Sequence, residues 1–156
     1  MEESKYVLFE SEVASQLSAI EHTFELVEDR TGVPGEPGVE SLAFQLHNLY
    51  SACEELFELI ANTFENHIDP SGGYHIELLK RMRIPISGVR AAVVSDETYR
   101  LLDSLRSFRH VFRHAYGVPL DRRKVEIVLD DARSLRSRLQ PEIGHFLASI
   151  SDEQGS

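Results

Sequence analysis

One cysteine in 156 residues, Cys53, excludes an internal disulfide and a cysteine-rich zinc site. It falls in apolar helical phase, the setting of a buried and inert thiol rather than a nucleophile. No apolar run approaches the length needed to span a bilayer. The N-terminus opens on Glu2 and Glu3 instead of a basic-then-apolar leader. A cytoplasmic protein with no membrane partner is expected. Internal repeats are absent, and Ala91-Ala-Val-Val94 is too short to make this a β protein. Positive charge is scarce at first: residues 1–70 hold 2 bases against 15 acids, in a chain of net charge −10.

What the chain does have is helical periodicity. Val13, Leu17, Ile20, Phe24 and Val27 recur in steps of three and four, one apolar stripe. A second runs through Leu42, Leu46, Leu49, Cys53, Leu56 and Ile60, widened by Tyr50, Phe57 and Phe64. Leu101, Leu105, Phe108 and Phe112 give a third. Val125, Val128, Ala132, Leu135 and Leu139 give a fourth, continued by Ile143, Phe146 and Ile150 beyond Pro141, where the helix is expected to kink or split. Gly32-Val-Pro-Gly-Glu-Pro-Gly38 reads as irregular connector, Pro70-Ser-Gly-Gly73 as the end of the second helix, and Gly117-Val-Pro119 as the end of the third. A short helix fits Tyr74 to Met82, a loop follows at Ile84–Gly88, and Ser95 is a good N-cap ahead of Asp96 and Glu97. The fold class is all-α: a bundle of four long helices plus one or two short ones. One domain over residues 1–150 and a frayed tail at 151–156 are expected.

The bases are concentrated. Residues 80–124 carry 11 of them against 4 acids, which marks this stretch as the part suited to an anion such as phosphate. Its densest piece is Arg106-Ser-Phe-Arg-His-Val-Phe-Arg-His-Ala-Tyr-Gly117. Arg106, His110 and Arg113 lie at i, i+4 and i+7 and share a helix face. Arg109 and His114 flank that face on opposite sides, about 140° apart on an ideal helix. Arginine binds phosphate through a fixed fork and histidine moves protons near neutral pH. Together they suffice for cleavage of RNA without a metal, the ribose 2′-hydroxyl attacking its own phosphate. The same residues also fit a solvated basic face paired with Glu54, Glu55 and Glu58 of the second helix. His110 and His114 have the spacing of zinc ligands, but no third ligand is evident and arginines surround them. His47, Asn48 and His75, polar residues on apolar segments, read as satisfied structural groups.

Arg109-His-Val-Phe-Arg-His114-Ala-Tyr116 has the pattern arginine, four residues, histidine, one residue, tyrosine. It resembles the motif of the HepT-like toxins, a branch of the HEPN superfamily of α-helical ribonucleases. Leu46-His-Asn-Leu-Tyr-Ser-Ala-Cys-Glu54, Tyr74-His-Ile-Glu-Leu-Leu79 and Leu105-Arg-Ser-Phe-Arg-His110 are similar to that group as well, so the likeness covers roughly residues 40–130. The resemblance implies a HEPN-type bundle and a toxin that works as a homodimer, with Arg109 on the scissile phosphate and His114 transferring a proton or positioning the 2′-hydroxyl. Arg106, His110 and Arg113 would then line the RNA path, with no metal or other cofactor required. It further implies that Tyr116 accepts AMP from a partner antitoxin, a minimal nucleotidyltransferase, which silences the enzyme. A catalytically silent HEPN-type module that partners such a nucleotidyltransferase is the alternative.

Overall fold

The computed structural model describes residues 1–65, 73–114 and 119–155. Five helices account for nearly all of them: α1 (Glu3–Thr31), α2 (Gly35–Phe64), α3 (Tyr74–Met82), α4 (Asp96–His114) and α5 (Arg122–Gly155). Among the described residues there is no strand, only an isolated bridge between Ile86 and Arg90. None of these helices is long and apolar enough to cross a membrane.

The four apolar stripes are the buried faces. α1 buries Val13, Ile20, Phe24 and Val27, and α2 buries Leu42, Leu46, Leu49, Cys53, Leu56, Phe57 and Ile60. Leu101, Leu105 and Phe108 of α4 and the series Val125 to Ile150 of α5 complete one continuous core. Each large aliphatic or aromatic side chain in it contributes about 1.5–3 kcal/mol relative to exposure. α2 is the central element, packing against all four other helices. The short α3 spans Tyr74–Met82, the span its sequence predicts.

Two expectations are corrected, both at prolines: the connector at Gly32–Gly38 is shorter than expected, and the last helix is not split. Residues 35–38 are not connector: α2 begins at Gly35, with Pro34 as its N-cap. Pro37 falls in the first turn, where backbone N–H groups have no intrahelical acceptor and proline costs nothing. Gly38 makes the tight entry fit. A Cβ there would overlap the Val33 carbonyl oxygen and lie 2.6 Å from its carbon. Alanine normally favours a helix interior by about 1 kcal/mol over glycine, but here the overlap reverses the sign. Gly38→Ala is expected to destabilise the fold by roughly 1–3 kcal/mol, read as a lower urea midpoint at unchanged m-value.

Pro141 neither splits nor ends the last helix, since α5 runs unbroken from Arg122 into the segment 151–156. Pro141 is exposed, as is Ser137, whose carbonyl loses its partner to the missing N–H and can turn to water instead. Buried Leu139, Ile143 and Phe146 hold the chain to the core on both sides. Glu142 adds a tertiary anchor. Its carboxylate accepts from Ser95 N at 2.6 Å, Ser95 Oγ at 3.1 Å and Thr98 Oγ1 at 2.5 Å. Ser95 in turn caps α4, its hydroxyl accepting from Thr98 N at 3.2 Å. An acid from α5 thus sits on the positive end of α4.

The α3–α4 connection is held by Arg90, which is fully buried against Glu65 at the end of α2. Its Nε donates to Glu65 Oε1 at 2.7 Å and its Nη2 to the same carboxylate. Nη1 donates to the carbonyls of Ile84 and Ala91, and Nη2 to that of Arg81 at 2.8 Å. Arg90 thus ties the end of α2 to the end of α3 and the connection that leads to α4. The expected terminus of the second helix at Pro70–Gly73 lies largely outside the described residues, as does Gly117-Val118 of the expected terminus of the third.

Candidate functional site

α2 carries a polar stripe along its otherwise apolar surface. His47, Tyr50 and Glu54 stand at i, i+3 and i+7, so they share a face. That face meets α4 along the edge bearing Arg106, Arg109 and Arg113, which have the same spacing. The two stripes form a charged seam inside the bundle, and α3 adds His75 to it.

Glu54 is the anchor. Its side chain is only 8% exposed, and both carboxylate oxygens take the Nδ1 of His75, at 2.8 and 2.9 Å. Arg109 approaches from the other helix, its Nη1 4.0 Å from Glu54 Oε1. This is an attractive distance but not a hydrogen bond. The Nε of Arg109 is buried with no partner. Neighbouring Tyr50 has its hydroxyl buried and unpartnered too. Burial and then the Glu54 charge push its pKa far up, against the smaller opposing pull of Arg106 and Arg109, so it stays neutral.

His47 packs its ring 5.3 Å from that of Phe112 on α4. Its Nδ1 is buried without a partner. Burial first, then the positive charges of Arg109 and Arg113, lower its pKa, so it is neutral at neutral pH. The expectation of a satisfied structural histidine therefore holds for His75 and not for His47.

The remaining sequence candidates separate. Arg106 is half-buried and committed to its own helix, donating from Nε to Asp103 Oδ1 at 2.8 Å and from Nη2 to Ser107 Oγ at 3.3 Å. His110 and Arg113 are exposed, and Arg113 forms no ion pair among the described residues. The backbone of His114 ends α4, one and a half turns beyond Arg109, and its side chain lies outside the described residues. Tyr116 also lies outside them. Of the three α2 acids that could neutralise the basic helix, only Glu54 approaches an arginine. Glu55 accepts from Gln16 at 3.3 Å and Glu58 from the Tyr74 hydroxyl at 2.9 Å. Among the described residues no three His, Cys, Asp or Glu side chains gather as a metal site would need. Cys53 is inert as expected, burial pushing its thiol up to about 12.

In the sequence Glu54 reads as one of three acids able to pair with the basic face, His47 and His75 as structural groups and Tyr50 as part of the apolar face, and none of the four as part of one seam. The i, i+3, i+7 run of polar residues within the strongly apolar second helix was the available signal.

An all-α bundle whose arginine-rich helix packs on a polar stripe of the central helix, with Arg109 and His114 in the last turns of that helix, is of the HEPN type. The chain matches the model of the HepT-like protein family over residues 41–150 and belongs to that family. The match takes in α2 through most of α5, reaching further toward the C-terminus than the motif likeness. The chain matches no curated protein and no solved structure.

Proposed function

We propose that this HepT-like protein is a metal-independent endoribonuclease, the toxin of a toxin–antitoxin pair, with Arg109 and His114 as its catalytic residues. The observation that carries the reading is the concentration of unmade hydrogen bonds in the seam. Among the described residues four buried side-chain polar atoms lack a partner, and three of them, on His47, Tyr50 and Arg109, line it. Each such group costs about 1–3 kcal/mol, a cost expected where a site is kept open for a polar ligand. The arginine sets the sign of that ligand, and phosphate fits its fork.

In this reading Arg109 holds the scissile phosphate and stabilises the charge that grows on it. The 2′-hydroxyl attacks the adjacent phosphorus, its proton leaves through His114, and the 5′-oxygen departs from a 2′,3′-cyclic phosphate. His110 and Arg113, both exposed, and half-buried Arg106 follow the RNA backbone. The helix ends of two copies share one cleft, which brings an Arg109 and a His114 together in spite of their angular separation. Adenylylation of Tyr116 by a minimal nucleotidyltransferase places a bulky anion beside the arginines and silences the enzyme in the cytoplasm. Because the whole chain is acidic, RNA binding depends on the local field and weakens steeply with salt.

RNA cleavage in EDTA, wild type beside His114→Ala, tests this. The expected result is a 2′,3′-cyclic phosphate end and a loss of about 10²–10⁴-fold in the variant. Equal cleavage by both proteins overturns the assignment of His114. One observation favours a second reading: a carboxylate 4.0 Å from Arg109 competes with phosphate for it. A silent module that binds a nucleotidyltransferase or RNA fits that contact, and it predicts binding without cleavage.

A further inference from the structure

We infer that His75 is a positioning residue for Arg109: by holding both oxygens of Glu54, it keeps that carboxylate from closing onto the guanidinium. The inference rests on the ribonuclease reading for its functional consequence, though not for its geometry.

Arginine and carboxylate at this separation normally collapse into a two-pronged pair. Opposite charges this close and largely shielded from water attract strongly. Here they stay 4.0 Å apart and Arg109 Nε remains unmade. Something restrains Glu54, and the contact that does so is His75 Nδ1, bridging both carboxylate oxygens. Three helices supply the three groups, Glu54 from α2, His75 from α3 and Arg109 from α4.

His75 is itself well placed to hold. It is the second residue of α3, and its neighbour Tyr74 donates to Glu58 Oε1 at 2.9 Å. Glu54 and Glu58 are i, i+4 on α2, so the first turn of α3 is pinned to two successive turns of the central helix. The two rings contact each other at 5.4 Å, edge to face. Gly73, just before them, takes a φ of 94°, which turns the chain into α3. Glu54 then acts as a counter-ion at one remove. It offsets the partly buried guanidinium without occupying its fork, and an incoming phosphate meets donors that are already desolvated.

The arrangement makes a specific double-variant expectation. In His75→Ala, Glu54 is released, swings onto Arg109 and blocks the phosphate site. RNA cleavage is expected to fall about tenfold in kcat/KM, mainly through KM. His75→Asn, which keeps an N–H donor near the Nδ1 position, restores activity, and so does His75→Ala combined with Glu54→Gln. A direct readout needs no RNA: the Arg109 Nε–H resonance in 1H–15N spectra of the 17.7 kDa chain, assigned with Arg109→Lys. It is expected to move downfield and gain exchange protection in His75→Ala, and to return in His75→Asn and in the double variant. Should the alanine variant fail to fold, His75→Phe, which keeps ring volume without the donor, carries the same expectation.

A resonance that stays put in a folded His75→Ala or His75→Phe variant overturns the inference, as does a double variant no better than the single. Wild-type protein that neither binds nor cleaves RNA overturns the ribonuclease reading alone, because the Nε–H shift is read without substrate.

Discussion

Arg109→Met is expected to lower RNA cleavage by about 10²–10³-fold while leaving stability within about 1 kcal/mol of wild type or above it. Methionine keeps most of the aliphatic stem and removes the guanidinium. For a structural arginine this would be costly, because its buried partner would be stranded. Glu54 is not stranded, since His75 already satisfies both carboxylate oxygens. The guanidinium in turn carries an unmade hydrogen bond in the folded protein, so removing it also removes a penalty. Groups that cost stability where they stand are a mark of functional sites. Cleavage rates and urea unfolding of the same variant decide the matter. A drop of several kcal/mol in stability, with cleavage falling only in proportion to unfolding, would make Arg109 a structural residue.

Arg90→Ala is expected to do the opposite and lower stability by about 3–5 kcal/mol. Arg90 is as buried as any charged residue in the bundle, and its fork serves Glu65 and three backbone carbonyls. Alanine leaves the Glu65 carboxylate buried with only Arg81, at 3.5 Å, beside it. It also removes a donor from the carbonyls of Ile84 and Ala91 in the α3–α4 connection and from that of Arg81, which keeps the backbone N–H of Ile84 at 3.2 Å. In a chain of this size the loss corresponds to a melting temperature lower by roughly 10 °C or more, read by circular dichroism at 222 nm. The exposed pair Arg100–Glu97, at 2.8 Å, is the control. Breaking it changes stability little, because water and salt screen both partners. Equal effects at the two arginines would show that the Arg90 cluster is not the staple its geometry implies.

Arg109 and Arg90 differ in how visible they were in the sequence. Arg109 stands in a local motif with His114 and Tyr116, and chain order alone displays such a motif. Arg90 lies in a loop 25 residues from Glu65, and nothing nearby marks it as the most deeply buried arginine. His75 and Glu54, 21 residues apart, are a similar case. Each reads as an ordinary polar residue until α3 is laid on α2.

The two misread prolines have the same origin. Pro37 and Pro141 do remove backbone donors, as their chemistry requires. Whether that breaks a helix depends on where the freed groups point and on what holds the chain around them. Pro37 sits in a first turn that needs no donor, and Pro141 sits on the solvent face, with Leu139 and Ile143 buried beside it.

By itself the sequence determined the all-α class, the apolar faces, the short α3 and the Arg109–His114–Tyr116 motif. The motif is chain order alone, and the rest are properties of single helices, fixed by a period of 3.6 residues per turn. Only the tertiary structure decided which polar side chains meet. The packing of α2, α3 and α4 set Glu54 between His75 and Arg109, placed His47 against Phe112 and buried Arg90 on Glu65. The relative rotation and axial offset of packed helices are fixed by the whole core at once, so no local pattern encodes them.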